Sequence, residues 1–189
     1  NWQTWREYRD SMNAHGAALN MASLIGHSML RIFVMGPDAW TRAATPDEVK
    51  AMCAELADAL AAGCHGISTS FFDVDRAARP VPSRLADMAE ITALADTLAA
   101  AGHGIVEYIP NQTGADPLGE MKRMAETLGP RGVRSIWNGL LHTDLNPARS
   151  QELIDYTASL CQYGAPVWPI VSPRTIDFNV DWDQTMVFM

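Results

Sequence analysis

The sequence predicts an α/β fold, a partial (β/α)8 (TIM) barrel of about five parallel strands alternating with helices. Short apolar runs alternate with amphipathic helical stretches at about 30 to 45 residues per unit, the signature of parallel βα units. Glycine closes each of the intervening helices shortly before the next strand. An open doubly wound sheet would satisfy the same alternation, but no GxGxxG follows a strand and no Walker loop is present. Polar residues at several strand ends suit a barrel, whose site is assembled from all the strand exits. Five units do not close an eight-unit barrel. Residues 1–189 therefore read as an internal fragment of one barrel domain, its N-terminal and C-terminal parts absent.

Residues 2–18 carry Trp5, Tyr8 and Met12 at i, i+3 and i+7, a short amphipathic helix. The apolar run over 17–36 predicts a buried strand that ends on Gly26-His27 and delivers side chains to a rim, with Leu30-Arg31 three residues on. A loop from Gly36-Pro37 through Trp40 leads to Thr45. There Thr45 as N-cap, Pro46 at the first helical position and Glu48 closing a capping box start a helix. Val49, Met52, Cys53, Leu56 and Leu60 continue it, and Gly63 ends it. The strand over 64–72 exits through Ser68-Thr69-Ser70.

Residues 73–82 are polar and proline-containing, a loop, after which Ser83 is placed to cap the next helix. That helix carries Met88, Ile91, Ala95 and Leu98 and closes at Gly102. A strand over 104–110 follows, then a helix opened by Asp116-Pro117, bearing Leu118, Met121, Ala125 and Leu128 and stopped by Gly129-Pro130. The strand over 133–141 leads to a helix opened by Asn146-Pro147 and ended by Gly164. Residues 166–171 form the last strand.

With 189 residues, 48% hydrophobic and 19% charged, the chain suffices for one sizeable core and is too short for two comfortable domains. A formal net charge of -8 supplies no electrostatic footprint for nucleic acid or an anionic membrane. No apolar stretch approaches the ~20 residues that cross a bilayer, and the opening residues lack the pattern of a signal peptide. A soluble, most simply cytoplasmic, location is expected. Cys53, Cys64 and Cys161 are odd in number and without CxxC spacing, so they read as reduced thiols.

The strand exits would place His27, Ser68-Thr69-Ser70, Glu107 with Tyr108, Trp137-Asn138, and Ser172 with Arg174 around one rim. A histidine, a carboxylate, hydroxyls and an arginine there suit hydrolysis of a small polar substrate. Each has a plainer alternative. His27 is either functional or a core histidine bonded to a neighbouring carbonyl, and Arg31 either a carboxylate clamp or a surface cation. Ser68 and Thr69 either meet substrate or bond to local backbone. Glu107 points either inward to the site or outward to a solvated edge. Residues 73–84, with Asp75, Arg76, Arg79 and Arg84, read as an ordered loop over the rim or an exposed connector. No histidine pair has the HxH or HExxH spacing of a metal site, and there is no GxSxG elbow.

Residues 20–27 (Asn-Met-Ala-Ser-Leu-Ile-Gly-His), then Leu30-Arg31, Val34-Met35-Gly36, the helix over 46–63 and Gly66-Ile67-Ser68-Thr69 carry a family likeness. In their order and spacing the chain resembles the amidohydrolase superfamily, in its N-acyl-D-amino-acid deacylase (D-aminoacylase) branch. The resemblance implies a (β/α)8 barrel with a small β-domain, hydrolysing a non-peptide carbon-nitrogen bond with zinc held by histidines on several strands. It places the family's HxH motif before Asn1 and its late catalytic aspartate after Met189. Where the family carries Thr-His-x-Arg at a strand end, this chain has Glu107-Tyr108-Ile109-Pro110. Where the family has a further histidine, this chain has Trp137-Asn138.

By this resemblance Glu107 and His27 are the catalytic candidates, with Glu107 also a substitute metal ligand. Arg31, Ser68, Thr69, Asn138 and Arg174 are the substrate-binding candidates, zinc the cofactor, and an N-acyl amino acid or related amide the substrate. The alternative is a barrel without metal that only binds a small molecule or a partner.

Overall fold

The computed structural model describes residues 2–172 other than 17, 112, 113, 115, 143 and 145; Arg174 lies outside the described residues. In chain order the elements are α1 (Trp5–His15), β1 (Ile25–Gly26), α2 (His27–Met35), α3 (Pro46–Ala61), β2 (Gly66–Ser70), α4 (Met88–Ala101), β3 (Ile105–Ile109), α5 (Pro117–Leu128), β4 (Arg134–Leu140), α6 (Ala148–Leu160) and β5 (Val167–Val171). All four strand pairings are parallel, and the spatial order β1-β2-β3-β4-β5 is the order of the chain.

That order decides between the two architectures open to the sequence. Right-handed crossovers that always step one strand in the same direction put every helix on the same face, whereas a doubly wound sheet reverses direction and covers both. Here one apolar cluster joins Ile67, Val106, Tyr108, Trp137 and Val167 of the sheet to residues of α3, α4, α5 and α6. The sheet is an arc of β/α units with helices on one side. Among the described residues it is not closed: β1 pairs with β2 alone and β5 with β4 alone.

Local signals account for most boundaries. Thr45 and Glu48 form the capping box at the start of α3, with Pro46 in the first turn. Asp116 caps α5 by accepting from the Gly119 amide, and Gly102 closes α4 in a left-handed conformation that a residue with a side chain adopts at a cost.

Two expectations are corrected. The apolar run over 17–36 contains a strand of only two residues, and from His27 onward it is helix. His27, Leu30, Arg31 and Met35 are its buried stripe, at i, i+3, i+4 and i+8. Met29 and Phe33 on the other side are 65% and 60% exposed, so apolar residues occupy both faces and conceal the helical period. Ser83 does not cap the next helix. It sits in a 3₁₀ turn (Pro82–Leu85) with its hydroxyl donating to the Ser70 carbonyl, and Asp87 caps α4 by accepting from the Glu90 amide.

The connection over 73–82 is an ordered loop. Val74 and Pro80 form an antiparallel bridge, Asp75 accepts from the Ala77 and Arg79 amides, and the Arg79 guanidinium lies 3.7 Å from the centroid of the Trp40 ring. No helix is long and apolar enough to cross a membrane among the described residues.

Candidate functional site

Strand pleating sorts the predicted site residues into two groups. Successive side chains of a strand point to opposite faces. Ile67 and Thr69 of β2, Val106 and Tyr108 of β3, and Ser135 and Trp137 of β4 are buried, and they alternate with less buried residues that face away from the helices. Register makes that second set a row across the sheet: Gly26 beside Ser68, Ser68 beside Glu107, Glu107 beside Ile136, Ile136 beside Trp168. Asn138 lies on the same face two residues beyond Ile136, at a register shift where β4 meets β5. Ser68, Glu107 and Asn138 thus share the helix-free face, while Thr69 is turned under the helices.

The electrostatics of the row centre on Glu107. Burial pushes its carboxyl above the usual range, and the like charge of Asp73, just past the end of β2, pushes it the same way. Further along the exits, burial likewise raises the Glu120 carboxyl, opposed by the hydrogen bond it accepts from the Asn111 amide at 2.6 Å. A carboxyl whose pKa is raised above its ordinary value, in register beside Ser68, can donate or accept a hydrogen bond or proton at a bound carbonyl or amide.

Thr69, His27 and Arg31 meet elsewhere, between the sheet and α4. His27 Nδ1 lies 2.9 Å from Thr69 Oγ1, and His27 Nε2 lies 2.7 Å from Glu90 Oε1. Arg31 Nη1 donates to Glu90 Oε2, and Arg31 Nη2 donates to the Arg42 carbonyl at 2.8 Å. The carboxylate Arg31 grips belongs to this chain. His27 and Arg31 are 0% exposed and Glu90 1%. Burial alone would raise the Glu90 carboxyl, but the hydrogen bonds of His27 and Arg31 and the charge of Arg31 outweigh it and hold the carboxyl below its ordinary value.

Sequence reasoning missed Glu90 and Asp73. Glu90 had a signal: a carboxylate one residue before Ile91, on the apolar stripe continued by Leu94 and Leu98.

No grouping of three or more histidine, cysteine or acidic side chains that could hold a metal ion occurs among the described residues. By themselves they do not fit a metal centre: His27, the buried histidine, has both ring nitrogens engaged.

An arc of parallel β/α units with its helices on one side is the arrangement found in segments of β/α barrels. Comparison with known proteins narrows the class. The chain is similar to the D-aminoacylase of Alcaligenes xylosoxydans xylosoxydans, 44% identical over 71 residues, 38% of this chain and 14% of that one. It is also similar to the N-acyl-D-aspartate deacylase of the same organism, 42% identical over 77 residues, 41% of this chain and 15% of that one.

Among solved structures, a D-aminoacylase described as having a binuclear metal centre, and as defining a novel subset of amidohydrolases, superposes with a TM-score of 0.70. It is 30% identical, over 87% of this chain and 33% of that one. An N-acyl-D-glutamate deacylase from Bordetella bronchiseptica, solved with zinc and a phosphonate inhibitor, superposes at 0.71 with 23% identity over 88% and 34%, a likeness of fold. No family profile matches the chain. The chain resembles the D-aminoacylases, and it spans about a seventh of the curated relatives' length and a third of that of the solved structures.

Proposed function

We propose that this chain is part of a metal-dependent amidohydrolase that cleaves the amide of an N-acyl-D-amino acid. Residues 1–189 would lie within a single barrel domain of it, with zinc as the metal and the cytoplasm as its location. The observation that carries the reading is the pair Ser68–Glu107, side by side on the helix-free face of a sheet that superposes on a D-aminoacylase. In this reading Glu107 holds or moves the proton at the scissile amide, Ser68 donates to the acyl oxygen, and Asn138 orients the substrate from the next strand but one. Most ligands of the zinc would be residues other than those described, with Glu107 the candidate substitute ligand among the described ones. His27, Arg31 and Thr69 support the wall from behind rather than touching substrate, and Arg174 keeps its expected role as a substrate contact.

The test is Glu107→Gln in the full-length protein, with hydrolysis of N-acetyl-D-amino acids and zinc content measured together. The expected outcome is zinc that copurifies with both proteins and a loss of kcat of about 10²-fold or more in the variant. A variant that keeps full activity removes Glu107 from the chemistry. An intact protein that binds these amides without zinc and without hydrolysing them overturns the reading in favour of a binding barrel.

A further inference from the structure

We infer that Glu90 is a positioning residue: it fixes His27 as the neutral Nε2–H tautomer, and His27 in turn fixes the Thr69 hydroxyl, so that β2 presents Ser68 to Glu107. The inference deepens the reading above and rests on it for the role given to Ser68.

Hydrogen-bond accounting sets the protons. The Nε2 atom of His27 faces a carboxylate oxygen, an acceptor only, so it carries a hydrogen. Nδ1 faces the Thr69 hydroxyl, which has one hydrogen to give. If Nδ1 were protonated as well, the Thr69 hydroxyl hydrogen would face apolar surroundings formed by Ile67, Ile91, Leu94 and Val106. The gap among those side chains is about 10 Å³, at the lower limit of what holds a water, so solvent does not supply the acceptor.

Charge accounting agrees. Glu90 from α4 and Arg31 from α2 cancel, so a neutral imidazole leaves the buried group without net charge. An imidazolium would leave a full unit of charge out of water. The donors then run in one direction, from Thr69 Oγ1 to His27 Nδ1 and from His27 Nε2 to Glu90.

A second strap joins the same elements. Ser28, one residue after His27, donates through its hydroxyl to Ser83 Oγ at 3.1 Å, and Ser83 Oγ donates to the Ser70 carbonyl at 2.9 Å. The last two residues of β2 are therefore held from the helix side, Thr69 by its side chain and Ser70 by its backbone. Ser68 is Thr69's neighbour on the opposite side of the pleat, so holding Thr69 sets the direction of Ser68 toward Glu107.

The experiment is ¹⁵N NMR of the His27 ring in the full-length protein, with wild type compared against Thr69→Val, Thr69→Ser and Glu90→Gln, together with kcat and KM on N-acetyl-D-amino acids. The expected wild-type signature is two widely separated ring nitrogens with the proton on Nε2. Thr69→Val should move the Nδ1 resonance and the Ser68 and Glu107 amides, and lower kcat about 10- to 100-fold with KM little changed. Thr69→Ser should restore both.

A His27 ring protonated at both nitrogens, or at Nδ1 alone, overturns the inference, as does a Thr69→Val protein whose Ser68 amide and kcat are those of wild type. Because Glu90→Gln removes the charge from a buried pair and can unfold the protein, Thr69→Val decides the matter alone. Should the wild type show no hydrolysis, the functional reading fails, while the ring and amide shifts still decide the positioning.

Discussion

Glu107 and Glu90 are both carboxylates placed by strand and helix onto partly or fully dry surfaces, and their surroundings push them in opposite directions. Glu107, raised by burial and by Asp73, ionises more readily in the unfolded chain than in the fold. Its contribution to stability is intact below the ordinary carboxylate pKa of about 4.3 and declines as pH rises through the folded value, so at neutral pH its charge is a cost. Glu107→Gln cannot ionise. The urea midpoint of this variant should exceed that of wild type at pH 7, and the difference should vanish near pH 4 and below. An equal gain at both pH values would mean that packing, not charge, separates the two side chains. Glu90 behaves in the reverse sense. Its depressed pKa gives stability that is present above the ordinary carboxylate value and lost as pH falls through the folded one.

Among the elements, α2 is where an apolar run turned into a helix, and its two faces predict different mutational costs. Leu30 is buried in the main core, whereas Phe33 lies on the exposed face. Leu30→Ala should lower stability by about 2–5 kcal/mol, while Phe33→Ala should stay within about 0.5 kcal/mol, both read as urea midpoints at constant slope. Similar costs at the two positions would mean that the exposed face of α2 is covered in solution. The same element shows why the run was misread. Strand and helix both bury apolar residues, and only a contrast between faces reveals the period. Elements with strong local punctuation, such as α3 with its Thr45–Glu48 box and α5 with Asp116-Pro117, were legible because their signals lie within four residues of the boundary. The segment over 73–84 reads from sequence as an ordered loop over the rim or as an exposed connector. Its order comes from Asp75 turning the chain and Arg79 packing on Trp40.

At the scale of the whole molecule, the arc leaves two strand edges and a helix-free face open among the described residues. Trp168 and Ile170 of β5 are large and exposed on that face. Open edges and apolar surface of this kind invite association. The 189-residue chain, purified as such, should bind the dye ANS and self-associate in a concentration-dependent way by sedimentation. A monomer that neither binds dye nor associates would show that residues outside the described set cover the edge.

From the sequence alone came the number of strands, the parallel βα alternation, an expectation of a barrel, and a family likeness that the comparisons bear out. These are local or repetitive properties, set by caps, glycines and side-chain periods a few residues long. Which candidates meet was decided by the tertiary structure. Ser68 and Thr69 are adjacent in sequence, yet the pleat sends one to the helix-free face beside Glu107 and the other under α4. His27, read as a rim residue, and Arg31, read as a carboxylate clamp or a surface cation, are joined to Glu90, which is 63 positions from His27 in the chain. A buried charge is tolerable only where opposite charge and donors converge on it, and no local pattern states which distant residue supplies them.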